Sequence, residues 1–121
     1  GRIYAYPYAQ RMRGGRVSSF TQIVNYPVQG FATGDLMPVA ILEIYRLMKL
    51  NKVESKLILT VHDSVTADVH PSEIDMMIKI FKEAFNNVPK LLEERFKMNV
   101  NVPIGYDLSI GDNWMEKEKV A

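Results

Sequence analysis

The alternation of side chains in the middle of the chain predicts a β-hairpin. Residues 57–61 and 65–69 form two short runs rich in β-branched residues, and every second residue of each run is apolar. This period of two is typical of strands. The runs meet at a polar pair, His62 and Asp63, so we predict a hairpin over residues 56–69 with this pair at its tip. The side chains expected on its inner face are Leu57, Leu59, Val61, Val65, Ala67 and Val69.

Apolar residues at helical spacing predict helices on both sides of the hairpin. The first lies in the long apolar segment that follows residues 21–30 and ends near residue 50. It is apolar nearly all round, which is typical of a helix that is mostly buried or docked on a partner. Pro38 should kink or restart this helix, because its ring meets the carbonyl of residue 34. Downstream, an amphipathic stripe predicts a helix over residues 74–87 and a separate short helix over residues 89–96.

The two ends of the chain have weaker patterns. Residues 1–8 resemble a strand fragment, residues 10–19 a flexible connector, and residues 115–121 a charged tail that frays. Residues 98–110 should be extended and pair with the hairpin, at an edge because Pro103 cannot donate to a strand ladder. These elements predict one domain of the α+β class, with an antiparallel sheet centred on the hairpin and packed by helices.

The composition narrows the possible functions. The absence of cysteine excludes disulfides and thiolate metal sites, and it fits a reducing compartment. The chain has no signal-peptide pattern and no apolar run of bilayer-spanning length, so we expect a cytoplasmic location and no membrane partner. Position 1 is not Met, and we therefore expect a fragment, a processed product or a part of a larger protein.

Charge is divided unevenly along the chain. Residues 1–34 contain four arginines and no acidic residue, which gives +4, whereas the remainder carries −3. Aromatic residues are interleaved with these arginines, a combination that suits a nucleic-acid backbone with stacked bases. A solvated loop with packed rings explains the same composition equally well. The candidate DNA-binding residues in this part are Arg11, Arg13 and Arg16.

Several motifs occur in an order that resembles a known family. Residues 25–30 (NYPVQG) precede a long helix, residues 61–63 (VHD) join two strands, a capped helix follows, and residues 111–114 (GDNW) end the last strand. This order is similar to the C-terminal palm segment of family A DNA polymerases, the polymerase I type and its bacteriophage relatives. The opening GRIYAYP resembles the segment after their fingers. The resemblance implies a partial polymerase palm over residues 1–121.

The same resemblance implies a DNA-directed DNA polymerase, which adds dNTPs to primer–template DNA by a two-metal mechanism. Asp63 matches one of two aspartates that bind the catalytic Mg²⁺ ions, and His62 matches a catalytic residue close to the primer 3′ end. Asn25 and Gln29 match amides that contact the minor-groove side of the new base pair. The chemistry agrees, because Mg²⁺ prefers carboxylate oxygens and every base pair presents acceptors in the minor groove.

The chain also departs from the family pattern. Ser64 stands where the family usually has Glu. We expect a possible accessory role for Ser64, in which its hydroxyl forms a hydrogen bond with a metal-bound water. Thr21 stands where bacterial members commonly carry Arg; both departures favour a phage-type polymerase in a bacterial host cell. The other metal-binding aspartate and the triphosphate-binding helix are absent. Asp68 is a poor substitute, since five residues of extended strand place it about 16 Å from Asp63.

We therefore expect two Mg²⁺ ions that are shared with a carboxylate outside this chain. The expected partner is the upstream polymerase segment or a complementary subunit, and the chain alone should be inactive. Other functions remain open. A His-Asp phosphohydrolase would need further ligands, and His70 is the only other histidine. A non-catalytic palm remnant that binds duplex DNA or is structural would use Asp63 only as a turn residue, which is a common role of Asp.

Overall fold

A computed structural model describes residues 3–121 and shows a small α+β architecture. This confirms the expected fold class. Residues 3–8 lie outside any strand, so the predicted N-terminal strand is not formed there, and its first two residues lie outside the described part. The helices are α1 (Phe20–Phe31), α2 (Met37–Asn51) and α3 (Ile74–Phe96), and the strands are β1 (Lys56–Val61), β2 (Ser64–Asp68), β3 (Ser109–Ile110) and β4 (Glu118–Lys119).

A π-helical segment, Ala32–Leu36, joins α1 to α2 without leaving helical backbone. Pro38 lies in the first turn of α2, directly after this segment. The break expected at Pro38 is therefore a widened helical turn, and the helix continues through it. A π turn of this kind accommodates a residue that cannot complete the regular ladder of hydrogen bonds.

Helix α3 continues through Pro89, so the prediction of two separate helices is wrong. Proline in a helix interior removes one hydrogen bond and costs about 3 kcal/mol. Val88 and Leu92 flank it and are completely buried. Burying each of these side chains contributes about 1.5–3 kcal/mol, which offsets the cost of the proline and keeps one continuous helix.

The core lies between α2 and α3, with the hairpin covering one end of it. The first cluster takes residues from both helices and is covered by Leu57, Val65, Ala67 and Val69. The second lies further along the same two helices and is covered by residues from the end of α1, the segment before α2, α3 itself and the chain that follows α3. The buried members are Ile44, Leu47, Met48, Met77, Ile80, Phe81 and Ala84 in the first cluster and Val39, Ala40, Val88 and Leu92 in the second.

Strands β1 and β2 form the predicted antiparallel hairpin, with Val61 paired to Ser64 next to the turn. An irregularity between Leu57 and Leu59 leaves one extra residue on β1, as in a β-bulge. Near the base, Leu57 contacts the core, whereas Leu59 and Val61 are exposed. The inner face expected from the alternation is therefore correct only for the half of β1 next to the helices.

The C-terminal part differs from the prediction. Residues 98–108 are not in strands, and β3 pairs with β4 rather than with the hairpin. The tail that was expected to fray is held by this pairing, by backbone hydrogen bonds of Leu108 with Val120 and Ala121, and by an ion pair of Lys119 with Asp107. The reversal between the strands uses the Asn113 side chain, whose oxygen accepts from two following backbone amides.

Candidate functional site

The predicted site residues His62 and Asp63 form the two-residue turn of the hairpin. His62 has a φ of 50°, in the left-handed region, and Asp63 does not. A positive φ at this position of a hairpin turn is usually taken by Gly or Asn. Both side chains are exposed. The Asp63 carboxylate is thus presented at the outermost point of the hairpin, where an external ligand can reach it.

The base of the hairpin is fixed by a hydrogen-bond network around the buried hydroxyl of Ser55. The Glu73 carboxylate accepts from the Ser55 hydroxyl at 2.5 Å and from the backbone amides of Glu54 and Ser55. The His70 amide donates to the same hydroxyl at 3.1 Å. The hydrogen bond from Ser55, with those from the two amides, holds the pKa of Glu73 below its usual value. Both ends of the hairpin are therefore joined to the start of α3.

The described residues supply one carboxylate at the hairpin tip. Within residues 3–121, no group of three or more His, Cys, Asp or Glu side chains is arranged to hold a metal ion. Asp68 lies at the other end of β2, paired with Lys56. The arrangement therefore fits Asp63 as one ligand of a metal site whose remaining ligands come from elsewhere, and it does not fit a complete two-metal site within this part of the chain.

Asn25 and Gln29 lie one helical turn apart on α1, and both are exposed. Residues four apart share one helix face, so the two amides point to the same side. The Gln29 carbonyl accepts from the Thr33 hydroxyl at 2.7 Å, which leaves the Gln29 side chain unaffected. The two amides could therefore contact one elongated ligand laid along α1.

Three exposed arginines, Arg11, Arg13 and Arg16, lie on a small loop before α1. Arg11 forms an isolated antiparallel bridge with Val17, and further backbone hydrogen bonds close the loop. Gly14 and Gly15 have positive φ at its reversal. The predicted flexible connector is thus a closed turn that places the arginines on one local segment.

The structure does not pack all the predicted residues into one site. The larger contacts between elements join β1 to β2, α2 to α3, and the π segment to both of its neighbouring helices. The pair of α1 with the hairpin is not among them. Asn25 and Gln29 therefore lie on a different element from Asp63, and within the described residues α1 makes no large contact with the hairpin.

One polar cluster was missed by the sequence analysis. The Glu43 side chain is 3% exposed between α2 and α3, and its oxygens accept from Arg46 at 2.7 and 2.8 Å and from Asn87 at 3.0 Å. The Arg46 hydrogen bonds are the main cause that keeps the pKa of Glu43 below its usual value. Asn87 is 44 positions away, so no local pattern could have indicated the contact.

Comparison with known proteins identifies the family that the motifs resemble. Residues 2–116 match the model of DNA polymerase family A. Curated relatives include DNA polymerase I of Chloroflexus aurantiacus, 26% identical over 88% of this chain, of Caldicellulosiruptor bescii, 32% identical over 77%, and of Borreliella burgdorferi, 28% identical over 90%. The match covers 10% of each of these proteins. No solved structure matches the chain. Among the described residues, no helix has the length and apolar character needed to cross a membrane.

Proposed function

Because this chain belongs to DNA polymerase family A, we propose that it forms the C-terminal part of the palm of a DNA-directed DNA polymerase. The polymerase would transfer nucleotides from dNTPs onto the primer of a primer–template DNA. The observation that carries the proposal is the position of Asp63. Its exposed carboxylate lies in the two-residue turn between two paired strands, on a hairpin whose base is bonded to α3 through Ser55.

Asp63 would hold Mg²⁺ together with a second carboxylate from another polymerase segment. When bound, Mg²⁺ would supply charge neutralisation for phosphoryl transfer. A carboxylate on a turn between paired strands suits this task, because positioning is the main contribution of the protein to phosphoryl transfer. The chain by itself would be inactive, since one carboxylate supplies too few ligands to hold two ions.

The DNA would lie across α1 and the hairpin tip. Asn25 and Gln29 present their amides on one helix face, which suits contact with the minor-groove acceptors that are common to all base pairs. His62, next to Asp63, would contact the primer end, and Arg11, Arg13 and Arg16 would contact phosphates. Ser64 and Thr21, the two departures from the family pattern described in the sequence analysis, support a bacteriophage-type member of the family.

An exposed apolar stripe on α1 supports a protein partner as well. Phe20, Val24 and Val28 follow one another at intervals of four and are each at least half exposed, and α1 has no buried residue. A helix with an uncovered apolar face gains stability when another element covers it. We assign this face to the upstream palm and fingers segment of the polymerase, which would also supply the second carboxylate and the triphosphate-binding helix.

The test replaces Asp63 in the polymerase that contains this chain. Asp63→Ala should remove nearly all nucleotide incorporation, while binding of primer–template DNA, followed by fluorescence anisotropy, stays within about twofold. Asp68→Ala is the matched control, because Asp68 is an exposed aspartate at the opposite end of the same strand. Incorporation by Asp63→Ala at a rate close to that of Asp68→Ala would refute the assignment.

A non-catalytic palm remnant is the second candidate function. It is favoured by the single carboxylate at the tip and by Ser64 in place of the usual Glu. Such a remnant would bind duplex DNA or support a larger assembly, and it would be insensitive to loss of Asp63. The same pair of variants separates the two functions, since only a polymerase centre loses turnover when Asp63 is replaced.

A further inference from the structure

The turn that carries Asp63 has a strained backbone and little packing around it. The φ of His62 is 50°, a value that is uncommon for every residue except Gly, although His adopts it more often than most side chains do. Val61, His62, Asp63 and Ser64 are all exposed. A residue in such a conformation persists only where its surroundings fix it. At this tip, buried side chains do not provide that constraint.

One side-chain hydrogen bond spans the turn. The Ser64 hydroxyl donates to the carbonyl oxygen of Val61 at 2.9 Å. These two residues are also the last paired positions of the strands, on either side of the two loop residues. Within residues 61–64 of the described chain, this is the only side-chain hydrogen bond that the structure shows. It closes the loop directly beneath His62 and Asp63.

We infer that Ser64 is a positioning residue whose hydroxyl locks the turn, so that His62 stays left-handed and the Asp63 carboxylate keeps one direction. The catalytic part of this inference rests on the proposed role of Asp63. An ionised Glu at position 64 can accept hydrogen bonds but cannot donate one to the Val61 carbonyl. Ser64 therefore restricts the conformation of the turn and adds no second negative charge beside Asp63. Its hydroxyl proton is used in the hydrogen bond to the Val61 carbonyl.

The first experiment measures the turn itself, independently of polymerase activity. In NMR spectra of the 121-residue chain, a left-handed His62 gives a strong cross-peak between its own amide and Hα protons. Ser64→Ala should weaken this cross-peak and sharpen the tip resonances toward those of a mobile loop, while Ser64→Thr, which retains a donor, preserves it. An unchanged cross-peak in Ser64→Ala would overturn the inference.

The second experiment measures turnover in the polymerase that contains this chain. Ser64→Ala should lower kcat for single-nucleotide incorporation about three- to tenfold, the range expected when one neutral hydrogen bond is removed. The KM for dNTP should be unchanged, and Ser64→Thr should restore kcat. Thr60→Val is the control, because it removes a hydroxyl from the same hairpin that makes no side-chain hydrogen bond in the described part of the chain. It should leave kcat unaffected.

A Ser64→Glu variant distinguishes a role of Ser64 as a hydrogen-bond donor within the turn from a role at the metal ions. If Ser64 acts as a donor within the turn, Ser64→Glu behaves like Ser64→Ala in both experiments. Faster incorporation by Ser64→Glu than by the wild type would mean that position 64 serves the metal ions, and it would overturn the inference. Failure of the proposed function is distinguishable, since it would appear as full activity of Asp63→Ala while the NMR result on the turn still stands.

Discussion

Glu43 is a charged side chain inside the interface between α2 and α3. Three donated hydrogen bonds, two of them from the Arg46 guanidinium and one from Asn87, compensate for the loss of its hydration. A carboxylate that is buried with such partners is costly to protonate or to remove. It joins the two helices whose core the hairpin covers.

Stability should therefore fall in acid because of Glu43. Its folded-state pKa lies below the usual value of 4.5, so its stabilisation is complete above that value and is lost as pH falls through the lower, folded-state pKa. Glu43→Gln should lower the free energy of unfolding by about 1–3 kcal/mol at pH 7 and weaken the decline toward acid. Urea titrations from pH 7 to pH 3 measure both.

Glu93→Gln is the control for this experiment, because Glu93 is an exposed residue on α3. It should leave the pH profile unchanged. Some acid sensitivity will remain in Glu43→Gln, since the pKa of Glu73 is also held low by its hydrogen bonds. A profile of Glu43→Gln that follows the wild type would contradict the role of the buried cluster.

At the residue scale, the chain predicts what local chemistry determines. Alternation on both sides of His62 and Asp63 indicated the turn, and the two residues are where the pattern placed them. The left-handed backbone of His62 and the bond from Ser64 to Val61 were not indicated, because several turn types fit the same residues. Glu43 was missed because its apolar neighbours on α2 indicate burial but do not indicate Asn87 on α3. The hydrogen bond from Asn87 helps to compensate for the burial of the Glu43 carboxylate.

Helix α2 carries two aliphatic residues with opposite environments, which gives a direct test of packing. Ile44 is completely buried, whereas Leu42 is 56% exposed. Ile44→Ala should lower the free energy of unfolding by about 2–5 kcal/mol, because it removes buried apolar surface and leaves a cavity. Leu42→Ala should change it by less than about 1 kcal/mol. Equal effects in denaturant titrations would contradict the observed face of α2.

The short β3–β4 ribbon depends on a glycine. A Cβ at Gly111 would lie 1.9 Å from the Glu116 carbonyl oxygen, which is far inside van der Waals contact. Gly111→Ala should therefore open the ribbon and remove protection from exchange at the Leu108 and Val120 amides, which NMR detects. Gly105→Ala is the control, because a Cβ there meets nothing within 4 Å. Protection that survives Gly111→Ala would show that the turn can rearrange.

At the element scale, the long periodic segments were predictable and their junctions were not. Helices α2 and α3 follow from their apolar spacing, but the continuation of α3 through Pro89 depends on burial of Val88 and Leu92 against α2. Likewise, β3 contains only Ser109 and Ile110, and its partner lies in the charged tail. Strand pairing of this kind depends on turn geometry around Gly111, which composition does not reveal.

At the scale of the whole molecule, the basic and acidic parts should behave differently toward DNA. Replacing the three loop arginines with Gln should weaken DNA binding and reduce the dependence of log K on log salt by about 0.9 for each phosphate that is no longer neutralised. A control with the same change in net charge replaces three lysines of α3. Binding isotherms at several salt concentrations should show a greater weakening for the arginine set (Arg11, Arg13, Arg16) than for the lysine set (Lys79, Lys82, Lys90). Equal weakening by the two sets would contradict a specific role of the loop.

The whole molecule also shows why the family could be predicted from the sequence and the geometry of the site could not. The order of motifs along the chain is a property of the sequence, and the family match over residues 2–116 confirms it. The geometry of a shared active site cannot be obtained from the order of motifs, since α1 and the hairpin make no large contact with each other in the described residues.

The Mg²⁺ dependence of single-nucleotide incorporation by Asp63→Asn decides whether the Asp63 carboxylate is a metal ligand of a polymerase centre. This change keeps the shape of the side chain and removes its charge. A metal ligand predicts a rate at least about 100-fold lower at saturating Mg²⁺ and a higher Mg²⁺ requirement, with Asp68→Asn indistinguishable from wild type. A normal rate with an unchanged Mg²⁺ dependence in Asp63→Asn would contradict this role.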